Sequence, residues 1–87
     1  EFVESFTGIP PKAGSEPAVS FVGDPKKAAI TFGAVFADAL YTPNAIGKGG
    51  DNYVITYESE TNAGFTINLN SNVAPTNPIR WSAIKDN

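Results

Sequence analysis

Few residues of this chain could do chemistry, and three of them are adjacent. Asp51, Asn52 and Tyr53 follow the glycine-rich stretch Gly47-Lys48-Gly49-Gly50 and offer a carboxylate, an amide and an aromatic face together. Such a set suits a sugar, whose hydroxyl pairs need donors and acceptors while the apolar face of its ring needs a flat partner. The stretch reads first as the solvated tip of a hairpin, since glycine permits positive φ. It is no phosphate loop: Lys48 is not followed by Ser or Thr, the spacing is wrong and no strand–helix context surrounds it. Asn68, Asn70, Asn72 and Asn77 crowd a second region. Outward amides there serve a glycan, ladder between symmetry mates, or simply face solvent in turns. Arg80, the sole arginine, is suited to clamp the carboxylate of a sialic or uronic sugar or of a neighbouring subunit's acid. The candidate ligand-binding residues are therefore Asp51, Asn52, Tyr53, Asn70, Asn72 and Arg80.

Catalysis finds less. With no His and no Cys, nucleophilic triads of the Ser-His-Asp or Cys-His kind cannot be assembled within the chain, nor can a His-rich metal site. Glu58 and Glu60 stand two residues apart on one strand face, a spacing compatible with the paired carboxylates of a glycosidase, about 5–9 Å apart. Nothing apolar beside them raises a pKa, so they read as an exposed edge-strand pair. Trp81 could stack on a sugar, but beside Ile79 and Ala83 in an alternating strand it reads as core or subunit-interface packing. The expectation is a protein that is not an enzyme, with no cofactor and no metal.

Short strands must position these groups. Ile9–Pro17 is expected to be a stiff, turn-rich connection because proline fixes φ and removes ladder donors. Ala18–Val22 is a β-prone run closed by Gly23-Asp24-Pro25. In Ala28–Phe32, Ala28, Ile30 and Phe32 share a face, and Val35–Leu40 is too short to stand as a helix. Tyr53–Tyr57 has β-branched and aromatic strand content. Phe65–Asn70 alternates, with Phe65, Ile67 and Leu69 inward and Thr66, Asn68 and Asn70 outward, and Ile79–Ile84 closes the domain. Six or seven strands at roughly ten-residue spacing predict an all-β fold, a small antiparallel β-sandwich. Residues 27–87 make up that sandwich. Residues 1–26 form an N-terminal arm or extra strands of the same domain, with Phe2, Val3 and Phe6 apolar enough to add a strand to this sheet or a neighbour's.

Composition bounds the partners. Eighty-seven residues allow one small domain, which buries only about 60–65% of its unfolded surface. No disulfide or zinc staple makes up the deficit, so a partner subunit is expected to. Forty-one per cent hydrophobic residues suffice for a core. A net charge of −3 argues against a nucleic-acid partner. No apolar run nears the roughly 20 residues of a membrane span, so no membrane insertion is expected. The chain has no Met and is read as a processed product or excised piece, with Glu1-Phe2 either native or a cloning remnant.

Three motifs carry a resemblance. Ala28-Ala29-Ile30-Thr31-Phe32-Gly33 followed by Phe36-Ala37-Asp38, then Gly64-Phe65-Thr66-Ile67, then Ile79-Arg80-Trp81-Ser82-Ala83-Ile84 resemble, in order and spacing, the C-terminal domains of bacteriophage tail fibres and related tail proteins. More distantly the chain is similar to the H-type lectin domain. The match spans roughly Lys27 to Lys85. It implies an antiparallel β-sandwich that assembles as a homotrimer and meets ligands through loops at one end or between subunits. For the phage branch the implied partner is a host cell-surface glycan or protein, and the implied location is the virion tail. The lectin's pocket does not carry over: its middle-strand arginine falls at Asn52, its aromatic after the GF strand falls near Asn72, and the next loop is shorter. The resemblance therefore implies a non-enzymatic receptor-binding tip of a trimeric fibre. The alternatives are a purely structural trimerisation or capping knob and a carbohydrate-binding module of a secreted bacterial protein.

Overall fold

The computed structural model describes residues 11–86 of the chain. Six strands lie within them: β1 (Lys12–Glu16), β2 (Lys27–Thr31), β3 (Tyr41–Ile46), β4 (Thr56–Thr61), β5 (Gly64–Asn68) and β6 (Ile79–Lys85). They form two three-stranded antiparallel sheets, ordered β1-β6-β3 and β2-β5-β4. The chain is thus all-β, a small sandwich. Every connection except the tight β4–β5 turn passes from one sheet to the other.

Register decides which loops meet. Glu16 pairs with Ile79 and Ile46 with Arg80, while Lys27 and Thr56 both pair with Asn68. Loops 17–26, 47–55 and 69–78 therefore gather at one end, where the Lys26 N–H donates to the Ser71 carbonyl at 2.8 Å. The opposite end holds loop 32–40, the β4–β5 turn, and both Lys12 and Lys85, paired with Ala83 and Tyr41.

The core lies where alternation places it. Tyr41, Ala45, Ile79 and Ala83 from the first sheet face Ala28, Ile30, Phe65 and Ile67 from the second, and Phe21, Phe32, Phe36 and Leu69 come from the connections. Ile67, Leu69 and Ile79 are fully buried, each worth about 1.5–3 kcal/mol in burial. Phe32 is the aromatic hub, its ring centroid 5.3 Å from Phe36, 5.4 Å from Tyr41 and 5.8 Å from Trp81. Tyr41 donates its hydroxyl proton to the Gly64 carbonyl at 2.6 Å. Burial, and secondarily the Glu60 charge, push its phenol pKa up. Trp81 packs on this cluster, half-buried. Gly14 opposite it leaves no room for a Cβ, which would lie 2.7 Å from Trp81 Cζ2.

Several local expectations change. The proline-bounded segment is not a connection: Lys12–Glu16 is strand β1 on the edge of the first sheet, with Pro11 and Pro17 just outside it. Ala18–Val22 is not a strand but a 3-10 turn at Ala18–Ser20 followed by an isolated bridge from Val22 to Lys27. Its apolar residues divide, Phe21 entering the core and Val19 standing 86% exposed. Tyr41–Ile46 is a strand that Pro43 hid, since proline is tolerated on an edge. The strand expected at Tyr53–Tyr57 begins at Thr56 and runs to Thr61. Ile9, Pro10, and the strand proposed around Phe2, Val3 and Phe6, lie outside the described residues.

The β3, β1 and β2 edges are finished differently. On β3 the Ala45 N–H turns away from β6 and donates to the Tyr57 hydroxyl of β4 at 2.8 Å. By alternation the Tyr41 N–H points the same way and donates to the Ala39 carbonyl at 3.2 Å, while Pro43 has no N–H. No donor on that edge is left over. The same alternation sends the Ala13 and Ser15 amides of β1, and the Ala29 and Thr31 amides of β2, outward on the opposite side. Among the described residues only Lys27 on that side is capped, by exchange of both bonds with Val22. A looser fastening there is the Lys12 ammonium, 4.5 Å from the Phe36 ring centroid.

Candidate functional site

The gathered end carries a groove. Its walls are Gly50, Asp51, Asn52 and Tyr53 from the β3–β4 loop and Ser71, Val73, Ala74 and Thr76 from the β5–β6 loop, enclosing about 420 Å³. That volume falls in the range of small-molecule sites. Smaller depressions on the outer faces of the sheets measure about 180 and 210 Å³.

One carboxylate holds the two walls together. Asp51 is only 8% exposed. Its Oδ1 accepts from the Thr76 N–H at 3.0 Å and the Thr76 hydroxyl at 2.9 Å, and its Oδ2 accepts from the Asn77 N–H at 2.9 Å. Charge-assisted bonds to backbone N–H groups are strong. They hold the Asp51 carboxyl below the usual carboxylate range, the Thr76 amide first among them. Local sequence makes this approach possible. The Asp51 N–H closes a turn onto the Lys48 carbonyl at 3.1 Å. Gly49 takes a φ of +63°, and a side chain at Gly47 would collide with the Asp51 backbone. Tyr53 adds a second tie, donating its hydroxyl proton to the Val73 carbonyl at 3.0 Å. Its phenol pKa is pushed up, first by burial and then by the Asp51 charge.

The six sequence candidates separate accordingly. Asp51, Asn52 and Tyr53 share the groove, but Asp51 is spent on shaping it. Asn52 stands exposed on the wall. Asn72 is exposed between two residues of the facing wall. Asn70 lies outside the groove lining with its amide committed, donating to the Val54 carbonyl at 2.6 Å and the Thr56 hydroxyl at 3.0 Å. Arg80 is elsewhere, lining the depression on the outer face of the first sheet with Asn44, Ile46 and Ser82. Sequence reasoning missed Ser71, Val73 and Thr76. The signal in the sequence was partial: residues 71–78 read as a loop, but only strand pairing brings them to the same end as residues 47–52.

The expected carboxylate pair is corrected. Ser59 has a φ of +53° within a bulge between Glu58 and Thr61, which ends the alternation that would keep Glu58 and Glu60 on one face. Glu58 instead accepts from the Asn68 amide at 2.7 Å and the Lys27 ammonium at 3.0 Å. Both lower its pKa, the Asn68 bond more. That direction is opposite to what a general acid needs. Among the described residues no group of His, Cys, Asp and Glu could hold a metal ion. No family model matches the chain, and neither a curated protein nor a solved structure matches it.

Proposed function

We propose that the chain is a non-catalytic attachment module whose end groove binds a carbohydrate. In this reading it is the receptor-binding tip of a trimeric phage tail fibre or related tail protein. The observation that carries the binding role is the Asp51 tie. A buried carboxylate bonded to two successive amides of another loop fixes a groove that would otherwise close or splay. A preformed site binds without paying to order itself. Inside it Asn52 supplies an amide, Ser71 and Thr76 hydroxyls, and Tyr53 and Val73 apolar surface, the mixture a pyranose needs.

The phage context rests on the motif resemblance, whose implied sandwich architecture agrees with the fold. A trimer draws support from exposed apolar side chains outside the groove lining, Val19 at 86% and Val54 at 80%, and from β1 and β2 edges that no described residue caps. Three copies on one axis would raise avidity without new contacts. The uncapped edges also favour the competing reading, a knob that only registers a fibre.

Glycan-array binding of the protein, with Asn52→Ala and Tyr53→Ala as variants, separates the two. Binding that falls at least tenfold in both, with the oligomer unchanged by light scattering, is the expected result. Binding that is absent, or indifferent to both substitutions, leaves the capping knob. A mass of one chain removes the trimer.

A further inference from the structure

The charges at the groove narrow its ligand. We infer that the saccharide is uncharged and that acidic sugars are turned away by Asp51. The inference rests on the carbohydrate reading of the same groove. The Asp51 carboxylate lines the groove, yet its partners are N–H and O–H dipoles of Thr76 and Asn77. The ion pairs of the described residues are Lys27 with Glu58 and Lys85 with Asp38. Neither touches Asp51. A full negative charge therefore stands in the groove wall without a counter-cation. Dipoles stabilise it locally but do not cancel its field.

No groove residue is a cation either. The arginine that would clamp a sialic or uronic carboxylate lies on the outer face of the first sheet. An anionic ligand would meet an unneutralised like charge close by, an arrangement that rejects partners. A neutral sugar meets only the remaining donors, acceptors and apolar surface: the Asn52 amide, the Ser71 hydroxyl and the Tyr53–Val73 face. Asp51 thus acts as a positioning residue for the loops and as a selectivity filter against carboxylates.

The test uses matched ligands on the full chain: methyl gluco-, galacto- and mannopyranosides, each against its uronic-acid counterpart, followed by amide shifts in ¹⁵N NMR. The expected result is that at least one neutral sugar moves the Asn52, Tyr53, Ser71 and Thr76 amides. Its acidic counterpart should bind at least tenfold more weakly, and the gap should shrink from 0.02 M to about 0.5 M salt as screening grows. An acidic member that binds the groove as well as its neutral twin overturns the inference while leaving the carbohydrate reading intact. A gap that salt does not change overturns the electrostatic cause. Sugars that never move the groove amides overturn both. Ala74→Lys adds a cation to the groove wall and spares the Asp51 tie and the Asn52, Ser71 and Tyr53 groups; it should recover binding of the acidic member, and a failure to do so counts against the field argument.

Discussion

The two long sides of the sandwich are built from similar strands and finished in opposite ways. Where β3 lies beside β4, a directed bond crosses between the sheets, from the Ala45 N–H to the Tyr57 hydroxyl. Pro43 removes the one remaining outward donor on β3. Where β1 lies beside β2, four outward amides remain without a partner among the described residues, and the fastening seen there is the Lys12 ammonium over an aromatic ring. Unpaired edges are templates for another strand, and proteins blunt those they do not use. The contrast shows that closing the β3 edge required only a proline, a phenol and the Ala39 carbonyl. The other side is unsealed among the described residues.

Substitutions can break or sharpen that contrast. The largest effect is expected from Gly14→Val on the open side, where a side chain meets the Trp81 ring. Overpacking of this kind costs about 2–3 kcal/mol, lowering Tm by roughly 10 °C or more in a domain this size. Hydrogen exchange should locate the first loss at β1 rather than β3. On the sealed side, Tyr57→Phe orphans the Ala45 amide and should cost about 1–2 kcal/mol in urea unfolding, with faster exchange at Ala45. Equal exchange at Ala45 in both proteins would show that the phenol seals nothing.

Acid should act less on either side than on what joins the loops and faces. Asp51, Glu58 and Asp38 all have folded pKa values below their ordinary ones, Asp38 through its bonds to Lys85 and the Leu40 amide. A depressed folded pKa contributes stability that is present above the unfolded value and lost as pH falls through the folded one. Tm should therefore hold from pH 7 down to the ordinary carboxylate range and drop below it. The Asp51→Asn protein, less stable at pH 7, should show a shallower drop. A parallel pair of curves would remove Asp51 from the linkage. The smallest effects belong to the edges themselves. Ala29→Pro deletes an outward donor and Pro43→Ala restores one, so both should stay within about 1 kcal/mol. If Ala29→Pro also lowers the mass measured by light scattering, the open side is where copies meet.

How much of this was legible depends on how far apart the causes lie in the chain. Alternation is local, so β2, β5 and β6 and their inward residues could be read directly from Ala28–Phe32, Phe65–Asn70 and Ile79–Ile84. Edge strands obey a weaker rule. Gly14, small because Trp81 lies over it, and Pro43, tolerated because its donor would face outward, both looked like loop residues until their neighbours were known. The groove was half legible. Asp51, Asn52 and Tyr53 signal polar chemistry by adjacency, whereas Thr76 enters only through a bond spanning 25 positions, which nothing local encodes. Arg80 was grouped with them by its chemistry alone, and strand register puts it on another face.

Lys12 and Lys85 both lie at the end remote from the groove. Whatever is joined after Lys85, a longer polypeptide, an affinity tag or a sensor chip, thus departs behind the sandwich and leaves the mouth of the cleft facing away from its support. Display at high density on a surface, in the laboratory or on a particle, would align many such mouths in one direction.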